Sequence, residues 1–164
     1  MGLDMYLSGS HFNSTLIKKK IQKGLGLSKA NNIFTGAAPT PAATIRWFER
    51  LGIKIQEAYA MTENTCYSHV SFKNQIKIGS VGQALPFCEV KLSEQKEILI
   101  KHDALMDGYY KDEVETNKTI IDGWLHTGDE GSIDEDGFLK ITGRVKDLFK
   151  TSKGKYVAPS PIEM

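Results

Sequence analysis

Cysteine is scarce in this chain: its 164 residues hold two, Cys66 and Cys88. Their separation matches no paired metal-ligand spacing, and two thiols make no disulfide framework, which points to a reducing compartment, the cytoplasm. An excess of one charge is also missing. Lys and Arg number 21 against 20 Asp and Glu, a formal net charge of +1. Nucleic acid is therefore not expected as a partner, because counterion release needs many cations gathered on one face. Apolar runs such as Glu97-Ile98-Leu99-Ile100 are far shorter than a membrane-spanning helix, and the first residues lack the charged-then-apolar pattern of an export signal. Repeats and low-complexity tracts are absent. With 40% hydrophobic residues, 25% charged residues and 15 glycines, the composition is globular and excludes disorder and collagen. The length supports one core of ordinary size or a little more, short for an enzyme that closes two domains over a substrate.

Local patterns divide the chain in two. Ser14 leads into Leu16, Ile17, Lys18-Lys19-Lys20 and Ile21, with Gly24 and Gly26 as stops, which predicts a short helix with a lysine-bearing solvated face. Asn32-Ile33-Phe34-Thr35 predicts a brief strand, and the small residues Gly36-Ala37-Ala38-Pro39 after it let the backbone pass close to a ligand. Thr40-Pro41 is a cap and first-turn proline for a second helix, in which Ile45, Phe48 and Leu51 share a face and Gly52 ends the run. Ile53 and Ile55 then continue as a strand towards Tyr59. Strand, helix, strand is the crossover unit of a parallel sheet, whose ligands bind beyond the carboxyl ends of the strands. Gly36 and Tyr59 stand at such ends. After Gly79 the character becomes β-rich: Val90-Lys91-Leu92 and 97–100 read as paired strands, 111–119 as a turn or two of helix, and 133–141 as a hairpin turning at Asp134-Glu135-Asp136-Gly137. A small sheet or partial barrel is expected there, with 143–154 as a linker.

Three runs carry groups that could do chemistry. Tyr59-Ala60-Met61-Thr62-Glu63 supplies an aromatic face, a hydroxyl and a carboxylate at a strand end, parts that suit a base, a phosphate and Mg²⁺. Spacing alone favours an ordinary exit from a strand. Trp124-Leu125-His126-Thr127-Gly128-Asp129 places an aspartate beyond a glycine, where its carboxylate could accept from both ribose hydroxyls or simply serve a turn. His126 reads as a strand surface residue, and 129–136 as a solvated hairpin tip. Residues 143–155 pack five cations beside and between two glycines and fit a phosphate-binding segment, a hinge or a plain surface loop.

In this order, Gly36-Ala37-Ala38-Pro39, Tyr59-Ala60-Met61-Thr62-Glu63, Trp124-Leu125-His126-Thr127-Gly128-Asp129 and Gly143-Arg144-Val145-Lys146-Asp147 resemble the adenylate-forming superfamily. The ending Lys150-Thr151-Ser152-Lys153-Gly154-Lys155-Tyr156-Val157-Ala158-Pro159-Ser160-Pro161-Ile162-Glu163 is most similar to the long-chain fatty acid–CoA ligases. The resemblance implies an α/β fold in three parts: a partial parallel-sheet subdomain over 1–78, a small β-rich distorted barrel over 79–145, and the hinge and beginning of a C-terminal lid over 146–164. It also implies a reaction. A fatty acid carboxylate attacks the α-phosphorus of ATP, giving acyl-adenylate and pyrophosphate, and the thiol of CoA then displaces AMP. Gly36, Ala37, Ala38 and Pro39 would line the adenine edge, with Tyr59 stacked on the base. Thr62 would bond the α-phosphate and Glu63 would hold Mg²⁺, the two residues given catalytic roles. Asp129 and Arg144 would grip the ribose, and Ala60 and Met61 would stand beside the acyl carboxylate. Lys146 matches the hinge, and Lys150 and Lys155 the lid residues that contact bound adenylate.

The pattern also departs from the family. Ala60 replaces the usual glycine, and Lys155 a position often uncharged. No segment matches the Ser/Thr/Gly-rich loop that holds the β- and γ-phosphates, and the adenylating lid lysine would lie beyond Met164. The resemblance therefore implies the middle of a longer enzyme, inactive alone and prone to self-association through cut sheet edges. Its parent would be cytoplasmic, with no transmembrane segment, and peripheral contact with a membrane stays open. Two other readings remain: a non-catalytic adenylate-binding module, and a ligase for aryl or amino acids.

Overall fold

The computed structural model describes residues 11–145 and a pair of short strands at 149–150 and 156–157. Helix α1 (His11–Gly24) precedes β1 (Phe34–Thr35), α2 (Ala42–Arg50) and β2 (Gln56–Tyr59). β1 and β2 pair in parallel, Phe34 with Gln56 and Thr35 with Glu57, so the expected crossover is present and both strands end on the same side. The strand begins later than the sequence suggested: Ile53 and Ile55 are buried but precede β2, whose first backbone donor, Gln56 N, reaches Ile33 O at 2.8 Å. Thr40 does not cap α2. Its hydroxyl bonds that of Thr35 at 2.8 Å, while Pro41 occupies the cap position without a side-chain bond. The stop at Gly52 is as expected, with φ +77°, a conformation that costs a residue with a Cβ roughly 1–2 kcal/mol.

Two strands were not legible as such. β3 (His69–Val70) and β4 (Gln83–Ala84) extend the first sheet antiparallel, giving the order β1-β2-β3-β4. The first sheet thus runs on past Gly79. Each strand is two residues long, too short for a period-2 signal to rise above its flanking loops.

The second sheet is wholly antiparallel: β5 (Glu89–Leu92), β6 (Glu97–Lys101), β7 (Ile120–Ile121), β8 (Trp124–Ile133) and β9 (Leu139–Arg144), with α3 (Glu113–Thr119) before β7. Its order is β5-β6-β8-β7, with β9 also on β8, so among the described residues it is an open sheet and not a closed barrel. The β8–β9 hairpin turns where the sequence predicted. Asp134 Oδ1 accepts from Asp136 N at 3.1 Å and Phe138 N at 2.9 Å, and Gly137 takes φ +80°. Gly143 and Arg144, expected in a linker, are the end of β9. Beyond them β10 (Phe149–Lys150) and β11 (Tyr156–Val157) pair antiparallel.

Each sheet has its own apolar cluster. Leu51, Ile53 and Ile55 form the first, packed by Ile21, Leu27, Ile33, Trp47 and Phe48 from both helices and the adjoining loops. Ile98, Ile100, Leu125 and Leu139 form the second, each fully buried, at about 1.5–3 kcal/mol per side chain removed from water. Tyr59, Met61 and Val81 from the first sheet and its loops also pack on this second cluster. That contact fixes the exit of β2 against the second sheet, and so brings distant motifs into one place.

Candidate functional site

Strand β2 delivers Tyr59 to the second sheet, and there its phenol meets Asp129 on β8. Tyr59 Oη donates to Asp129 Oδ2 at 2.8 Å across 70 residues of sequence. Arg144 Nε donates to the other oxygen, Oδ1, at 3.0 Å. β8 and β9 set this second contact, since their register places Asp129 directly opposite Arg144. Asp129 is not part of a solvated tip; it is 8% exposed. Each of its oxygens has one protein donor and, as an ionised carboxylate oxygen, room for a second. Burial, and then the adjacent Asp129 charge, push the Tyr59 phenol well up, so it stays protonated and donates.

The loop after β2 is held from below. Residues 62–64 form one turn of 3₁₀ helix, and buried Asn64 accepts Met61 N on its Oδ1 at 3.1 Å. Thr65 and Cys66 both take left-handed φ, 52° and 56°, which is rare for a β-branched residue and marks a tightly specified loop. Thr62 is exposed and Glu63 half-buried. Glu63 is also engaged: Tyr109 Oη donates to its Oε1 at 2.9 Å, and Met106 N to its main-chain O at 2.8 Å. Among the described residues no three His, Cys, Asp or Glu side chains gather to hold a metal ion. Glu63, with Oε2 as its second oxygen, suits a cation that takes its other ligands from water and phosphate, the usual manner of Mg²⁺.

Residues 36–39 leave β1 beside the exit of β2. All four are exposed, and a Cβ on Gly36 would lie 3.3 Å from Ala58 O, so the two chains run close together. Ala60 is exposed and Met61 half-buried on the second cluster. Lys146 and Lys155 lie outside the described residues, as does the side chain of Lys150. A cavity of about 230 Å³ lined by Lys77, Ser80, Ser132, Asp134 and neighbours includes none of the motif residues.

Sequence reasoning missed two partners. His126 is not a plain surface residue; its Nδ1 bonds Glu97 Oε2 at 2.9 Å. Neither Glu97 nor Tyr109 carries a local signal, because their partners lie 29 and 46 positions away. The remaining clue was the placement of Glu97 at the head of an apolar strand, where a carboxylate needs a reason to stand.

His69 lies across from Tyr59 on β3, with ring centroids 6.1 Å apart, and is 3% exposed. Burial lowers its pKa from 6.5 to about 4, and Ser68 Oγ lies 2.7 Å from its Nδ1. Above pH 6.5 both folded and unfolded forms are neutral at this site. Between 6.5 and 4 only the unfolded chain binds the proton, so stability is lost as pH falls, at up to ~1.4 kcal/mol per pH unit. Burial raises the pKa of Glu57, opposed by the Gly79 backbone N–H, and that residue works in the opposite direction, favouring the fold as pH falls. Urea unfolding of the protein and of His69→Gln across this range separates the two. The variant should lose the His69 part of the slope, and equal slopes would refute a neutral buried imidazole.

The AMP-binding enzyme family model matches residues 4–110. The chain belongs to this family. Among AMP-binding enzymes it is 39% identical over 154 residues to the long-chain-fatty-acid–CoA ligase ACSBG1 of Rattus norvegicus, covering 90% of this chain and 21% of that protein. It is 35% identical over 148 residues to the long-chain-fatty-acid–CoA ligase FadD15 of Mycobacterium bovis, covering 90% and 24%. The chain thus spans less than a quarter of the length of these curated relatives. A fatty acyl CoA synthetase of Mycobacterium tuberculosis has the same fold at TM-score 0.67 and 28% identity, over 91% of this chain and 33% of that one. The anthranilate CoA ligase AuaEII, solved with anthranoyl-AMP, superposes at TM-score 0.72 and 26% identity over 84% and 28%. The O-succinylbenzoate CoA synthetase of Bacillus subtilis, solved with ATP and magnesium ion, gives 0.69 and 28% over 88% and 34%.

Proposed function

We propose that this chain is the adenosine-binding middle of an AMP-forming fatty acid–CoA ligase and that it is inactive by itself. The observation that carries the reading is the buried Asp129 carboxylate, held by Tyr59 at 2.8 Å and Arg144 at 3.0 Å. Three motifs far apart in sequence meet at one acceptor, with a free lone-pair site on each oxygen for a ribose hydroxyl. Anchoring the phenol at its tip leaves the Tyr59 ring as a fixed plane for adenine, bordered by residues 36–39. Thr62, exposed at the start of its turn, bonds the α-phosphate, and Ala60 and Met61 flank the acyl carboxylate.

In the reaction the carboxylate oxygen bonds to the α-phosphorus as the bond to pyrophosphate breaks. The CoA sulfur then bonds to the acyl carbon, and AMP leaves. Mg²⁺, where bound, neutralises phosphate charge. This chain's own contribution is position: Asp129 and Arg144 fix the ribose, Thr62 and Glu63 face the phosphates, and Tyr59 fixes the base. The resemblance to the superfamily assigns the hinge role to Lys146 and adenylate contact to Lys150 and Lys155, whose side chains lie outside the described residues. The fatty acid class rests on the two relatives named as long-chain ligases; the likeness to an anthranilate ligase favours an aryl acid as second reading.

Acid-dependent exchange of pyrophosphate into ATP tests both. The complete enzyme should exchange with long-chain fatty acids and the 164-residue chain should not. Exchange with aryl acids alone would replace the acyl class, and exchange by the short chain would refute its inactivity. If the complete protein binds AMP yet exchanges with no acid, the enzyme reading falls to a binding module.

A further inference from the structure

Strands β6 and β8 lose register beside the site. Glu97 pairs with Glu130, yet Leu99 pairs with His126. Residues 127–129 therefore bulge from β8 opposite Ile98, and a bulge takes backbone groups off the ladder and turns side chains to a new direction. Four of the groups in the bulge have specific partners. Thr127 Oγ1 donates to Ile98 O at 2.8 Å and accepts from Asp129 N at 3.1 Å. Gly128 O accepts from Val145 N, the residue after Arg144, at 2.9 Å. Gly128 N donates to a side chain, Glu97 Oε1, at 2.9 Å. The other Glu97 oxygen is held by His126 Nδ1, also at 2.9 Å.

Gly128 is thus the pivot of the bulge. Its φ of +73° is allowed to glycine at no cost, and no atom lies within 4 Å of where a Cβ would stand. Conformation, and not crowding, sets its identity. The Glu97 carboxylate fixes the amide on one side of this pivot; Asp129 follows it in sequence and Val145 hangs from its carbonyl. We infer that Glu97 is a positioning residue for nucleotide binding: by holding the Gly128 amide it aims Asp129 and Arg144 at the ribose, with His126 fixing the rotamer of Glu97. The inference rests on the reading of Asp129 as the ribose acceptor.

Steady-state kinetics of the complete enzyme with ATP, 2′-deoxy-ATP and 3′-deoxy-ATP test it, in wild type, Glu97→Ala, Glu97→Asp and Glu97→Gln. Wild type should prefer ATP over each deoxy analogue. In Glu97→Ala and Glu97→Asp the KM for ATP should rise about tenfold, the worth of one lost charge-assisted bond. KM for the deoxy analogues should move little, so the preference collapses. Glu97→Gln keeps an acceptor for the Gly128 amide and should retain most of the preference. A purely structural role would weaken all three nucleotides alike, and an unchanged preference in Glu97→Asp would overturn the inference. Should Glu97→Ala fail to fold, Glu97→Asp, which keeps the charge but falls one methylene short, carries the test. If wild type itself does not discriminate, the ribose reading of Asp129 is at fault, and the inference falls with it.

Discussion

Asp129→Ala in the complete enzyme is expected to lower kcat/KM for ATP by at least about a hundredfold. Each bond from a ribose hydroxyl to an ionised carboxylate is worth roughly 1.5–3 kcal/mol, and about 1.4 kcal/mol is a factor of ten. Two such bonds are lost at once. Tyr59 and Arg144 also lose their shared acceptor, the bonds now 2.8 and 3.0 Å long, so the Tyr59 ring proposed to stack on adenine loses its anchor. Arg144 is largely exposed, at 60% of its side-chain surface, and its own ion pair is worth little to stability because water screens it. The loss should therefore appear in nucleotide binding far more than in folding. Asp129→Asn keeps one acceptor oxygen and should fall between the two. Initial-rate kinetics, with circular dichroism to establish folding, decide the matter; a folded Asp129→Ala enzyme within about threefold of wild type would remove Asp129 from the site.

Gly82→Ala is expected to cost more than about 4 kcal/mol, beyond the usual range of a single substitution, or to prevent folding. Gly82 is buried with φ +91°, and a Cβ there would stand 2.1 Å from Val70 C and O and 2.3 Å from Ser71 N. These are backbone atoms of β3 and its exit, which cannot swing aside as a side chain would. Gly82 O accepts from Leu139 N, and Val81 N donates to Leu139 O, both at 2.9 Å. The clash would thus prise the segment leading into β4 from the edge of the second sheet, where these backbone bonds tie it to β9. Gly137→Ala is the control. It too has positive φ, +80°, but open space around the added carbon, so it should cost only the conformational term, roughly 1–2 kcal/mol. Urea midpoints of the two variants separate clash from conformation, and equal losses would show that the close approach at Gly82 relaxes freely.

Much of this architecture was legible in local patterns. Thr35, Ile45, Leu51 and Tyr59 lie in a strand-helix-strand spacing that a parallel crossover requires. The turn at 134–137 announces itself through aspartate and glycine, whose preferences act within four residues. Signals of that range survive in a single sequence because the physics behind them is local. The order of the four motifs likewise singled out Tyr59, Asp129 and Arg144, and the structure brings these three side chains together. β3 and β4 were not legible, since their pairing satisfies backbone groups presented by β2 and by each other, with no pattern of their own.

The sequence by itself therefore determined the family, the longer elements and a set of residue types whose chemistry suits a nucleotide. Only the tertiary structure decided how they meet. Tyr59 bonds Asp129 across 70 residues, Tyr109 bonds Glu63 across 46, and Glu97 reaches Gly128 across 31. Contacts at such separations depend on strand register, and a bulge opposite Ile98 moves that register without altering any local propensity. Hydrogen bonds fail when donor and acceptor are misplaced by an ångström or so, so geometry of that fineness comes from packed sheets and not from the spacing of letters.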